Sequence, residues 1–198
     1  MEAFVSGLGL GFALITPIGA QNLFVLNQGI RTGFPRVLIA VAAAGFCDSL
    51  LIVLGAAGAA VVLAGAPHLK ELLIFLGVAF LLVLGVRALL TRPQGADVKA
   101  EQRWPGIAAR TVGVSLLNPH AILDTVGVIG GAIAAQARAD QLPFATGAVS
   151  ASWLWFLFLG VAAAAMQTRL SPATRLWIQR ASGALMLFFA VVLARELF

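Results

Sequence analysis

The chain has 198 residues, of which 61% are hydrophobic and only 11% are charged. Charged residues are less than half as frequent as in an average soluble protein. A soluble domain of this size is therefore excluded, because the chain lacks the residues to form a polar surface. The single cysteine, Cys47, excludes an internal disulfide, and one cysteine with two histidines cannot form a structural zinc site.

The net charge of +5 does not indicate a nucleic-acid partner, because the basic residues lie between apolar runs instead of forming a stripe. No phosphate-binding loop, nucleophile elbow or metalloprotease helix occurs in the sequence. We therefore expect no cofactor and no enzymatic activity.

Six apolar stretches predict six transmembrane helices, since a helix needs roughly 20 mainly apolar residues to cross a bilayer. Charges and helix breakers place these spans at 3–29, 36–64, 69–91, 106–135, 142–167 and 173–196. The first stretch is expected to be a span and not a removable signal peptide, because its first charge is Glu2 and its apolar run is long. The predicted fold class is an all-α polytopic membrane protein.

The polar linker 92–104 divides the chain into two units, 1–91 and 105–198, of three predicted helices each. Ten Lys and Arg residues lie in the first, third and fifth loops, and three lie on the opposite side. Because cytoplasmic loops are enriched in basic residues, we expect the linker in the cytoplasm and both termini in the periplasm.

The two units resemble each other when the sequence is shifted by 102 residues. The shift aligns Pro17 with Pro119, Gly45 with Gly147 and Gly58 with Gly160, although some glycine matches in a glycine-rich chain are expected by chance. A three-helix unit reverses its direction when it is repeated. A duplication therefore predicts two inverted repeats, with a substrate bound between them.

Two proline pairs, Thr16-Pro17 and Asn118-Pro119, lie about twelve residues into the first and fourth spans, near the middle of a bilayer. Thr or Asn before Pro is typical of an N-cap and the first position of a new helix. In inverted repeats the two helix starts would converge, and their free N–H groups, including that of Gly19, would bind an anionic group. A proline kink in an otherwise continuous helix is the alternative.

Asp48 and Asp124 are the only acids deep within the predicted spans. A carboxylate at this depth costs roughly 2.5–3.5 kcal/mol and persists where it faces a cavity or a partner. The repeat aligns Asn22 with Asp124 and Asp48 with Ser150, and Gln21 and Asn27 add amide groups in the first span. Because no Lys or Arg lies at equal depth, the substrate would supply the missing cation. Protonated acids bonded to a neighbouring helix are the alternative.

His120, at the start of the second broken helix, would relay protons or act as a neutral hydrogen-bonding residue. The glycine-rich segments 7–11 and 127–131 favour close helix packing, and the same faces would suit a homodimer interface.

The residues around both breaks resemble the lysine exporter (LysE) family of amino-acid exporters, most closely its arginine-exporter (ArgO-like) branch. The similarity covers nearly the whole chain and is carried by residues 17–31, Cys47-Asp48, 117–125, 150–156 and 193–195. Ile18-Gly19-Ala20 departs from the family pattern, in which many relatives have a second proline. The resemblance implies export of L-arginine or L-lysine from a bacterial cytoplasm across the inner membrane, with paired acids at Asp48 and Asp124.

We expect export by proton antiport, in which Asp48 or Asp124 carries the proton, although sodium would also fit the unwound carbonyls near the prolines. Alternative functions are export of neutral amino acids or of another small cation. An intramembrane aspartyl protease would also use two membrane aspartates, but the two acids lack the sequence contexts expected of such an enzyme.

Overall fold

A computed structural model describes residues 1–17, 19–58, 67–90, 104–167 and 169–195. Within these ranges every regular element is a helix, which confirms the predicted all-α class. The elements are α1 (Glu2–Ile15), α2 (Ala20–Thr32), α3 (Val37–Ala56), α4 (Pro67–Leu89), α5 (Trp104–Leu116), α6 (Pro119–Ile122), a π-helical segment (Leu123–Ile129), α7 (Gly130–Ala134), α8 (Arg138–Gln167) and α9 (Pro172–Ala194). The predicted linker lies outside the described residues except for Trp104.

Three of these helices are long and apolar enough to cross a membrane by themselves: Val37–Ala56, Arg138–Gln167 and Ala173–Ala194. The bent pair α1 and α2 makes a fourth if it forms one broken span. Shorter apolar helices extend over Ile74–Leu89 and Asp124–Ala134. The chain is thus a multi-pass membrane protein, because several apolar helices this long cannot be covered within a chain of this size.

Both predicted helix breaks are present, but the first lies later than expected. Thr16 keeps helical backbone angles, and its N–H donates to the Phe12 carbonyl at 3.0 Å, so it ends α1. Gly19 is extended, with φ −111° and ψ −178°, and α2 begins after it at an angle of 81° to α1. The prediction that Thr16 caps a helix starting at Pro17 is therefore wrong, because the proline falls between the two helices.

At the second break the prediction is confirmed. Helix α5 ends at Leu116, and α6 begins at Pro119. The Ile122 N–H donates to the Asn118 carbonyl at 3.1 Å, which closes the first turn. Proline suits this position because its missing N–H would have had no partner within the helix.

The first helix of each half packs against the other half, α1 against α8 and α5 against α3. The α1–α8 crossing depends on two glycines, because a Cβ atom on Gly7 would collide with the Phe144 carbonyl and one on Gly147 would collide with the Phe4 carbonyl. Close packing at Gly7 is thus confirmed, whereas a Cβ atom on Gly9 would meet nothing within 4 Å.

Helices α3 and α8 cross antiparallel at the centre of the molecule. Near the start of α3, Val41 lies against Gly160, and further along α3 Gly45 lies against the Trp153 ring. The two glycines make room for the Val41 and Trp153 side chains of the facing helix. This crossing brings the middle of α8 next to Asp48.

Candidate functional site

Both helix breaks open onto a single cavity of about 240 Å³. Seven residues that the sequence predicted for a site line it together: Pro17, Gly19, Gln21, Asn22, Asp48, Asn118 and Asp124. The remaining lining is mostly apolar and consists of Leu14, Ile15, Ala121, Thr125, Phe156 and Phe189. The cavity therefore combines residues from both halves of the chain.

Asp48 is held from two sides within the apolar helix α3. Its side chain is only 3% exposed. The Gln21 Nε2 donates to its Oδ1 at 3.0 Å, and the Ser152 Oγ donates to its Oδ2 at 2.8 Å. One carboxylate thus joins α2, α3 and α8, and these bonds fix its orientation. Each oxygen keeps a second lone pair that can accept from a ligand.

Asp124 lies on the π-helical segment and is exposed. A π-helical turn holds more residues than an α-helical turn, and such segments often occur at functional sites because they rotate side chains out of the regular helical phase. Asp124 and Asp48 both line the cavity. Among the described residues that line it, none is a Lys or an Arg. The lining is therefore suited to a positively charged group.

Asn22 closes the first break. Its Nδ2 donates to the carbonyls of Ile15 and Pro17, both at 2.8 Å, and its Oδ1 accepts from the Trp155 Nε1 at 3.1 Å. The end of a helix leaves its last carbonyls without partners, and this side chain supplies two donors for them. Asn22 lines the cavity as predicted, but in this conformation all three of its hydrogen bonds are to the protein.

The starts of two helices also face the cavity. Gly19 precedes α2, and Asn118 precedes α6. A Cβ atom on Gly19 would meet nothing within 4 Å, so this stretch of backbone is open. The first N–H groups of a helix lack intrahelical partners and carry partial positive charge. An anionic group in the cavity could accept hydrogen bonds from them.

The structure does not bring two of the predicted residues to the cavity. Thr16 is exposed and is not part of the lining. Ser150 donates to the Thr146 carbonyl of its own helix at 2.7 Å, so the predicted contact with the cluster is corrected to Ser152. The two serines point in different directions because residues two apart on an α-helix are separated by roughly 200°. The predictions for the side chains of Pro119 and His120 lie outside what the structure describes.

Sequence reasoning missed Ser152, Trp155 and the aromatic wall formed by Phe156 and Phe189. The segment 150–156 carries part of the family resemblance, but nothing in it favours Ser152 over Ser150, because the rotation of α8 decides which serine faces α3. Within the described ranges no three His, Cys, Asp or Glu side chains come together as a metal site.

Comparisons with known proteins show which family the chain resembles. The family model for LysE type translocators matches residues 12–197. Arginine exporter protein ArgO of Klebsiella pneumoniae is 40% identical over 200 residues, covering 98% of this chain and 93% of that protein. ArgO of Escherichia coli K12 is 38% identical with the same coverage, and YisU of Bacillus subtilis is 38% identical over 85% of this chain and 77% of its own length. No solved structure matches the chain significantly.

Proposed function

The chain belongs to the LysE type translocator family, and from this we propose that it exports L-arginine, and L-lysine as a second substrate, across a bacterial inner membrane. It is a transporter of amino acids and not an enzyme. The names of its ArgO relatives support arginine as the substrate. The observation that carries the proposal is the pair of acids, Asp48 and Asp124, on one cavity without a basic lining residue among those described.

Asp48 and Asp124 would hold the guanidinium or ammonium group of the substrate. A guanidinium presents five N–H donors in a planar fork, which suits two carboxylates approached from different helices. The bonds from Gln21 and Ser152 preorganise Asp48, so little ordering is needed when the substrate arrives.

The N–H groups that follow Gly19 and Asn118 would hold the substrate carboxylate. An amino acid with a cationic side chain then has a complementary partner at each end. A neutral amino acid would use only part of this arrangement and would leave a buried carboxylate without its cation.

Six spans in two inverted repeats, 1–91 and 105–198 with the linker 92–104 between them, are the architecture we propose for this transporter. The packing of helices across the two halves supports this architecture. Helix α1 of the first half packs on α8 of the second, just as α5 of the second half packs on α3 of the first. The antiparallel crossing of α3 and α8 supports it as well, because inverted repeats run their equivalent helices in opposite directions. The distribution of Lys and Arg supports a cytoplasmic linker and periplasmic termini.

Proton antiport would supply the energy. Moving one positive charge outward against ~100 mV, inside negative, costs about 2.3 kcal/mol, and a concentration gradient adds to this cost. An empty site open to the periplasm would take up a proton on Asp48 or Asp124, and a cationic substrate arriving from the cytoplasm would displace it.

Counterflow in proteoliposomes tests the substrate proposal. Vesicles containing the purified protein are loaded with arginine, lysine, leucine or homoserine, and uptake of labelled arginine is measured. We expect exchange with arginine and lysine and little with the neutral amino acids. Faster exchange with leucine or homoserine would contradict the proposal.

A further inference from the structure

A second cavity, of about 250 Å³, lies at the other end of α2 and has the opposite electrostatic character. Three arginines line it, each from a different helix: Arg31 from α2, Arg87 from α4 and Arg110 from α5. The described residues of its lining include no Asp or Glu. Because the central cavity has two acids and this one has three bases, the two cavities suit ligands of opposite charge.

Buried amides complete the polar wall of this basic cavity. Asn27, Gln28 and Gln179 are only 8%, 6% and 8% exposed, and all three line it. Each arginine also interacts with another group of the protein. The site is thus assembled from four helices and does not consist of surface side chains alone.

The chemistry of this wall matches an oxyanion. Guanidinium groups bind phosphate through two parallel N–H···O bonds, and amide N–H groups can donate to the remaining oxygens. We propose that the basic cavity binds a phosphate group, either in the headgroup of an anionic membrane lipid or as free phosphate.

The apolar rim of the cavity suits the lipid source. Leu84 and Leu90 both line it, and Leu90 is 73% exposed, so an apolar side chain borders the opening. Basic pockets between transmembrane helices are known to hold anionic headgroups while the acyl chains remain in the bilayer. A bound anion would also reduce the electrostatic repulsion between the three arginines and a cationic amino acid that approaches the protein from the side on which this cavity lies.

Lipid retention measures the site directly. The purified full chain is equilibrated with phosphatidylglycerol or phosphatidylcholine in detergent micelles, and bound lipid is counted by native mass spectrometry, with and without inorganic phosphate. Retention of phosphatidylglycerol over phosphatidylcholine identifies the lipid source. If inorganic phosphate binds without displacing lipid, the ligand is free phosphate. If the protein neither prefers phosphatidylglycerol nor binds inorganic phosphate, the proposal is overturned.

Variants locate the binding. We expect Arg87→Gln and Arg110→Gln each to weaken anion binding about tenfold, because each removes a charge-assisted hydrogen bond. Arg169→Gln is the matched control, since Arg169 is an exposed arginine outside the cavity. If the neutral variants do not fold, Arg87→Lys and Arg110→Lys take their place, because they keep the charge. We expect these two variants to lose less anion binding than the Gln variants but more than the control. Equal losses in the cavity variants and the control would overturn the proposal. Because binding is measured without transport, a failure here is distinguishable from a failure of the export proposal.

Discussion

Replacing Asp48 by asparagine separates the charge of the candidate site from its structure. The carboxylate accepts from Gln21 and Ser152 and is almost fully buried. In Asp48→Asn one oxygen still accepts from one of these donors. The new NH₂ can donate to the Gln21 amide oxygen after an amide flip, or to the Ser152 hydroxyl. The variant thus keeps two hydrogen bonds of the native shape and removes one negative charge.

The expected loss of basic-substrate transport is large. Removing one partner of a buried charge pair costs about 3–5 kcal/mol, because the other charge remains buried without compensation. At about 1.4 kcal/mol for each tenfold change, the affinity for arginine falls by roughly two to four orders of magnitude. Folding should be little affected, since a charge in an apolar helix is itself costly.

The assay is arginine counterflow in proteoliposomes at equal protein content, together with thermal unfolding of the purified variant. Asp140→Asn is the matched control, because Asp140 is an exposed acid at the start of α8 and lies outside the central cavity. Asp124→Asn should also lower transport, but by less, since Asp124 is less enclosed by the protein than Asp48. Transport by the Asp48 variant at the wild-type rate would refute the proposed paired-acid site.

Three further outcomes are expected. Gly7→Ala should destabilise the fold by about 1–3 kcal/mol, because its Cβ would collide with the Phe144 carbonyl. Gly9→Ala, in open space within the same helix, should not lower the unfolding temperature. Trp155→Phe removes the donor to Asn22 and should cost about 1 kcal/mol of unfolding free energy in a chemical denaturation series. An imposed proton gradient should accelerate arginine counterflow, and acceleration by a sodium gradient alone would contradict proton antiport.

Some features of this molecule are readable directly from the chain because they depend on local composition and spacing. Low charge and long apolar runs require a bilayer and helices, whatever the packing. The break at Asn118-Pro119 follows from the missing N–H of proline. The isolation of Asp48 and Asp124 among apolar residues marked them as candidates for a site.

The contacts of those residues depend on how the helices rotate and cross, which no local pattern specifies. Ser152 and not Ser150 reaches Asp48 because α8 turns that face toward α3. Asn22, which closes the first break, also accepts a hydrogen bond from Trp155, a residue far away in sequence. The basic cavity is likewise a product of tertiary structure, since its three arginines come from three separate helices and each, read in sequence, is only a loop-side charge. Such groupings arise when close packing leaves each helix few rotations that fill the interior.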